Sequence, residues 1–180
     1  METKKILFQK GNQKVFIMMF ITLLLLAFIG LSFAKNWAFS SFEKTAPSKQ
    51  SFILAGLSDG DIVHVEIGGV SVEAETAKSR EKKAKGLSNR YSMNEKNGML
   101  FVFDQRGVYP FWNKDTFIPL DLIWVNNDKI VYIFKYLPVY EGGERYMVTP
   151  NEVSNFVLEL NAGFVDKYGV KLGDKITISK

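Results

Sequence analysis

Twenty consecutive residues, Val15 to Ala34 (VFIMMFITLLLLAFIGLSFA), carry no charge and no proline, and only Thr22 and Ser32 have polar side chains. At about 1.5 Å of helix rise per residue the run reaches roughly 30 Å, the thickness of a bilayer's hydrocarbon core. It therefore predicts a transmembrane helix over 15–34 and divides the chain. A basic tail (1–14) precedes it, a linker (35–58) follows, and one domain occupies 59–180. Lys4, Lys5, Lys10 and Lys14 precede the run, as in the basic region of an export signal. The run is longer than the roughly 7–15 apolar residues of cleavable signals. That length favours an uncleaved, single-pass signal anchor with a cytoplasmic tail and an extracytoplasmic domain. Ser32-Phe33-Ala34 nevertheless places small residues where a cleavage after Ala34 would release a secreted domain.

The same division explains the chain's basicity. The formal net charge is +4, but residues 51–180 hold sixteen basic against seventeen acidic side chains. Nucleic-acid binding calls for a basic stripe on the folded part, so no nucleic-acid partner is expected. Lys78, Arg80, Lys82, Lys83 and Lys85 form the one basic cluster there and read as the solvated face of a helix. The chain has no cysteine. Disulfides, thiolate metal sites, a cysteine nucleophile and a lipoprotein anchor are thereby excluded, and the domain must be held by core burial, for which it is large enough.

Past the Asp59-Gly60-Asp61 turn, Ile62–Ile67 and Val70–Glu75 alternate apolar and polar residues around Gly68-Gly69, the pattern of a tight β-hairpin. Val63, Val65 and Ile67 share one face, and the sole histidine, His64, falls on the polar face as a surface residue. Thr76 is expected to cap a helix running to about Lys85, with Gly86 stopping it. Further strands are expected at Met99–Phe103, Leu120–Asn126, Lys129–Tyr136, Asn155–Leu160 and Lys175–Ser179. The turn Asn126-Asn127-Asp128 joins two of them, and a short helix at Gly163–Tyr168 ends at Gly169. Many short strands and two short helices define an α+β, mainly β domain, barrel- or sandwich-like.

One series of motifs is more specific. Gly86-Leu87 with Arg90, Gly98–Phe103, Phe111-Trp112-Asn113-Lys114-Asp115-Thr116-Phe117-Ile118-Pro119-Leu120-Asp121, Val157–Gly163 and Gly173-Asp174 occur in order. The series resembles the domain of unknown function 192 family over roughly residues 60–179. The resemblance implies a compact β-rich domain, often carried behind a signal peptide or anchor, with no established activity. The family usually reads Phe-Trp-Met-Lys-Asn-Thr where this chain has Asn113 and Asp115, and often has Met where Ser88 stands. If the family binds a ligand through the amide at position 115, the carboxylate here alters or abolishes that contact.

Trp112, Lys114, Asp115 and Asp121 are the candidate ligand-binding residues. In one reading Trp112 is a stacking platform and the charged groups line a polar cleft. In the other, Asp121 sits within a run apolar on both faces and accepts buried hydrogen bonds, fastening the Thr116–Pro119 loop through backbone N–H groups or the Trp112 indole. Tyr132, Phe134 and Tyr136 share a strand face, as core or as an exposed aromatic platform. No nucleophile-elbow, zincin, phosphate-loop or dinucleotide signature is present. No catalytic residue, metal ligand or cofactor is therefore assigned. Asp59 and Asp61 lack the pattern of a calcium loop. Binding of a small ligand or an envelope partner leads. The alternatives are a hydrolase acting on an envelope polysaccharide or related polymer through Asp115 or Asp121, and a non-catalytic structural accessory.

Overall fold

Alternation in the hairpin segment translates directly into structure. The computed structural model describes residues 56–143 and 145–180. In β1 (Ile62–Ile67), Val63, Val65 and Ile67 are buried while His64 and Glu66 are exposed. Gly68 and Gly69 turn the chain with φ of 58° and 75°, the left-handed geometry that glycine adopts without steric cost. A side chain at Gly68 would also meet the Val170 methyl at 2.9 Å. Among the described residues no helix is long and apolar enough to cross a membrane. The Val15–Ala34 run, the basic tail and the linker as far as residue 55 lie outside them.

The return strand β2 (Val70–Ala77) is longer than its alternation suggests. It continues because it pairs in parallel with β3 (Asn97–Gly107), with Thr76 opposite Leu100 and Ala77 opposite Phe101. Thr76 is thus a buried strand residue rather than a helix cap. Its hydroxyl donates to the Ser58 carbonyl at 2.5 Å, and its N–H donates to the Asp61 carbonyl. The cap lies three residues later at Ser79, whose Oγ accepts from the Lys82 N–H at 3.0 Å, and the helix α1 spans Arg80–Lys85. It ends at Gly86 as expected, and it lies in the crossover that a parallel pair requires.

The other strands are β4 (Phe111–Trp112), β5 (Leu120–Asn126), β6 (Lys129–Leu137), β7 (Met147–Val148), β8 (Ser154–Asn161) and β9 (Thr177–Ser179). A seven-stranded sheet runs in the order β6-β5-β8-β3-β2-β1-β9, and β4 and β7 form a separate antiparallel pair. The short helix α2 (Phe164–Tyr168) lies between Gly163 and Gly169. Among the described residues the fold is mainly β with two short helices and a sandwich-like open sheet. The sheet curls until β6 meets the segment entering β9: Ile130 N–H donates to the Asp174 carbonyl and Gly173 N–H to the Ile130 carbonyl.

Each face of the sheet has its own core. One contains Val63, Val65, Ile123, Val125, Leu158 and Leu160, with Phe164 and Val165 of α2 packed on it. Leu57 also belongs to this core. The second contains Leu87, Phe101, Leu122, Trp124, Val148 and Val157, over which the β4–β7 pair lies. Tyr132 and Phe134 are half-buried against this second core, and the Tyr132 ring meets Trp124 edge-on at 5.3 Å. Tyr136 departs from their stripe and is exposed.

Tyr136 departs because β6 bulges. Leu120 pairs with Leu137 and Leu122 with Phe134, so Lys135 and Tyr136 together face Asp121, and Tyr136 takes a φ of 58°. The N–H released from the ladder donates to Asp121 Oδ1 at 3.0 Å, while Val165 N–H, in the first turn of α2, donates to Oδ2 at 2.9 Å. Asp121 is fully buried. Its carboxylate therefore joins the bulge to the start of α2. It does accept buried backbone N–H groups, but those of Tyr136 and Val165 rather than of the Thr116–Pro119 loop. Asp121→Asn, with one fewer acceptor oxygen, is expected to lower stability by about 1–3 kcal/mol. Chemical denaturation at neutral pH checks this, and unchanged stability would contradict the anchoring role.

Candidate functional site

Four motif segments separated in sequence, those of Gly86-Leu87, Gly98–Phe103, Phe111–Asp121 and Val157–Gly163, converge on one concavity beside the second core. β4 ends in Trp112, after which Asn113 is buried and makes a double hook. Its Nδ2 donates to the Pro138 carbonyl at 3.0 Å, and its Oδ1 accepts from the Tyr146 N–H at 2.9 Å. Asn113 is thus a polar clasp between loops. Asp115 follows at φ 52°, a region that Asn and Asp populate far more readily than other side-chain-bearing residues. The backbone at 115 accounts for a short polar residue there, whether amide or carboxylate.

This loop is tied to the segment after α1. Ser88 Oγ donates to the Lys114 carbonyl at 3.0 Å, Asn89 N–H to the Asp115 carbonyl at 2.7 Å, and Phe117 N–H to the Arg90 carbonyl at 3.3 Å. The Tyr91 and Phe117 rings stack at 4.6 Å. On the other side, β3 leaves its register with β8 after Val102. Its overhang is fixed by Tyr109, whose ring stacks on Phe103 at 3.5 Å and whose carbonyl accepts from the Trp124 indole N–H at 2.8 Å.

Between these walls lies a cavity of about 170 Å³. Phe101, Phe103, Phe111 and Trp112 supply aromatic surface, with Phe111 edge-on to both Phe101 and the buried Trp124. Trp112 is 41% exposed at the mouth, where the Arg145 guanidinium sits over its ring at 5.4 Å. Lys83, Lys85 and Lys114 also border the cavity. Lys83 is already engaged, donating to the Val102 carbonyl at 3.0 Å and lying over the Phe103 ring.

The buried part of the lining includes Glu159. In β8 it stands opposite Met99 on one side and Leu122 on the other, on the same face as Val157. It is 4% exposed, and its Oε2 has no hydrogen-bond partner among the described residues. Desolvation penalises its ionised form and pushes its pKa up to about 8, against a smaller opposing pull from Arg90. Arg90 is itself paired: Glu75 accepts from both Arg90 and Lys82. Burial raises the Glu75 pKa, but those hydrogen bonds outweigh it and hold Glu75 below the usual carboxylate range. At neutral pH, Glu159 is accordingly a neutral acid that can donate one hydrogen bond and accept others.

The structure brings two of the four sequence candidates, Trp112 and Lys114, to this cavity. Asp115 is not among the lining residues; its carboxylate lies 3.8 Å from Lys114 Nζ near the surface. Asp121 is turned toward the first core, on the opposite face of the sheet, with its oxygens engaged as above. Glu159 is not among the four sequence candidates. The signal was present, since Val157-Leu158-Glu159-Leu160 places a carboxylate in an apolar run just as Leu120-Asp121-Leu122 does.

A sandwich-like, mainly β domain with a cavity built from these motif segments defines the class. A family model described as an uncharacterized ACR matches residues 63–178, and the chain belongs to that family, the domain of unknown function 192 family. No curated protein matches the chain. Among solved structures it is similar to a candidate transcription regulator from Sinorhizobium meliloti, at 26% identity and a TM-score of 0.60, covering 68% of this chain and 98% of that one. It is also similar to a protein of unknown function from Novosphingobium aromaticivorans, at 29% identity and a TM-score of 0.59, covering 64% of this chain and 83% of that one.

The Glu159 proton has a consequence for stability. In the unfolded chain this carboxyl releases its proton near pH 4.5, whereas in the fold it keeps it to about 8. Between those values the native state holds the extra proton, so raising pH through the window removes stability, roughly 3–5 kcal/mol in all. Glu159→Gln, which cannot ionise, is expected to lose that part of the decline. Melting temperatures of the wild type and the variant across the window check this, and parallel curves would contradict it.

Proposed function

We propose that this chain is a membrane-anchored, extracytoplasmic module that binds a small ligand in the cavity bounded by Trp112, Lys114 and Glu159. The observation that carries the binding reading is the Glu159 carboxyl, which is buried in the cavity lining without a hydrogen-bond partner among the described residues. A polar group in that state costs free energy unless something pairs with it, and a ligand in the cavity is positioned to do so. The aromatic lining supports the same reading, since ligand pockets combine apolar walls with a few polar groups. The anchor rests on the apolar run Val15–Ala34 and the four lysines before it.

Binding is favoured over polymer hydrolysis by the number of carboxylates. Glycoside hydrolysis ordinarily uses two, about 5–9.5 Å apart, and among the described residues Glu159 is the only acidic residue lining the cavity. Regulation of transcription, named for the Sinorhizobium protein, has no matching charge pattern here, because residues 51–180 are nearly neutral in balance.

Two experiments test the proposal. Protease added to intact spheroplasts is expected to digest residues 51–180, and full protection would overturn the extracytoplasmic placement. Calorimetric titration of the full chain in detergent with a panel of monosaccharides and monocyclic aromatic compounds is expected to find ligands. Their affinity should fall about tenfold in Trp112→Ala, the loss of roughly 1.4 kcal/mol of ring contact. Equal affinity in the variant would place the ligand elsewhere.

A further inference from the structure

We propose that the cavity takes a single six-membered ring that presents a hydroxyl to Glu159 and a compact anionic substituent to Lys85 and Lys114. The inference rests on the binding reading above and specifies its ligand.

Size sets the ring count. A cavity of about 150 Å³ lined by apolar side chains accommodates benzene, and this one measures about 170 Å³. One ring fits, and two fused rings do not without protruding from the mouth. The walls decide which surface of the ligand they meet: Phe101, Phe103, Phe111 and Trp112 present aromatic surface to a ring, planar or saturated.

The buried end selects the group that enters first. Thr116 and Ser88 also line the cavity, but their hydroxyls already donate to the Lys114 carbonyl. The buried side-chain polar atom of the lining without a hydrogen-bond partner among the described residues is Glu159 Oε2. A protonated carboxyl both donates and accepts, and a hydroxyl can answer it in both senses. An apolar edge pressed against it would leave it unpaired, at the cost of a buried polar group without a partner.

The mouth selects the other end. Lys85 and Lys114 border it with exposed or half-exposed side chains, Asp115 offsetting Lys114 from 3.8 Å. Lys83, also cationic, borders the same cavity. A ligand amine would meet this positive rim, whereas an anion is attracted to it. The charged group that acts on Glu159 is Arg90, held by Glu75, while Lys83 and Lys85 of α1, Lys114 and Tyr109 share the cavity lining with it. Its neighbours on β3 and β5 are Met99 and Leu122. Ionising Glu159 would set a negative charge in the cavity that an anion must enter, so binding weakens as pH rises through its titration.

Calorimetric titration of the full chain in detergent tests the proposal with defined probes. Para-hydroxybenzoate and glucuronate carry the required groups on a planar and a saturated ring. Benzoate lacks the hydroxyl, para-hydroxybenzyl alcohol lacks the charge, and tyramine reverses it. At least one hydroxy acid is expected to bind at least about tenfold more tightly than benzoate, the alcohol or tyramine, and the better of the two identifies the ring type. Its affinity should fall about tenfold between about pH 6.5 and about pH 9, as the protonated fraction of Glu159 falls. Glu159→Gln should flatten that dependence. Lys85→Ala, an exposed change that spares the core, should weaken the acid and not the alcohol. Tighter binding of tyramine or the alcohol would overturn the ligand class while leaving the cavity a binding site. A wild-type affinity independent of pH would overturn the Glu159 contact. Failure of every probe, together with failure of the wider monosaccharide and aromatic panel, would overturn the binding reading itself.

Discussion

Strand β8 is hydrogen-bonded on both edges, to β5 and to β3, and both of its faces are buried. Its register therefore cannot drift: a slip of one residue would exchange the contents of the two cores. Phe156, Leu158 and Leu160 face one core, and Val157 and Glu159 the other. Glycine at position 98 lets β3 approach at that point, because a side chain there would meet the Glu159 carbonyl at 2.7 Å. The placement of the cavity's acid is thus a consequence of strand pairing at the centre of the sheet.

Two carboxyl groups set in apolar strand sequence end in opposite hydrogen-bonding situations. Asp121 meets two backbone N–H groups, one freed by the β6 bulge and one at the start of α2, and serves as an internal fastener. Glu159, one strand away and on the other face, leaves an oxygen without a hydrogen-bond partner among the described residues and retains its proton to about pH 8. The same penalty for burying charge applies to both. Available partners make the difference, and they come from segments distant in the chain.

Much of the fold was legible because it is local. The Gly68-Gly69 hairpin, the Asn126–Asp128 turn, the stop at Gly86 and the helix ended by Gly169 all follow from backbone conformations that particular residues favour. Thr76 shows where that logic stops. Its hydroxyl suits a helix cap, but parallel pairing with β3 holds it in the strand, and the cap falls at Ser79. Tyr136 likewise left its stripe because the bulge rotated it. At the site, Trp112 and Lys114 were visible in a motif dense in aromatic and charged residues. Glu159 was not, because a single acid in an apolar strand looks the same whether it fastens backbone or borders a cavity.

The sequence by itself determined the apolar run over 15–34, the near-neutral domain beyond it, the exclusion of thiol chemistry, and the family, since composition and ordered motifs depend on no distant contact. Tertiary structure alone decided which carboxylate borders the cavity. Strand alternation assigns a side chain to a face, but whether that face holds a hydrogen-bond donor, an aromatic wall or a concavity depends on segments brought there by the fold. For Asp121 the fold supplied two N–H groups; for Glu159 it supplied aromatic rings, a lysine-bordered mouth and space.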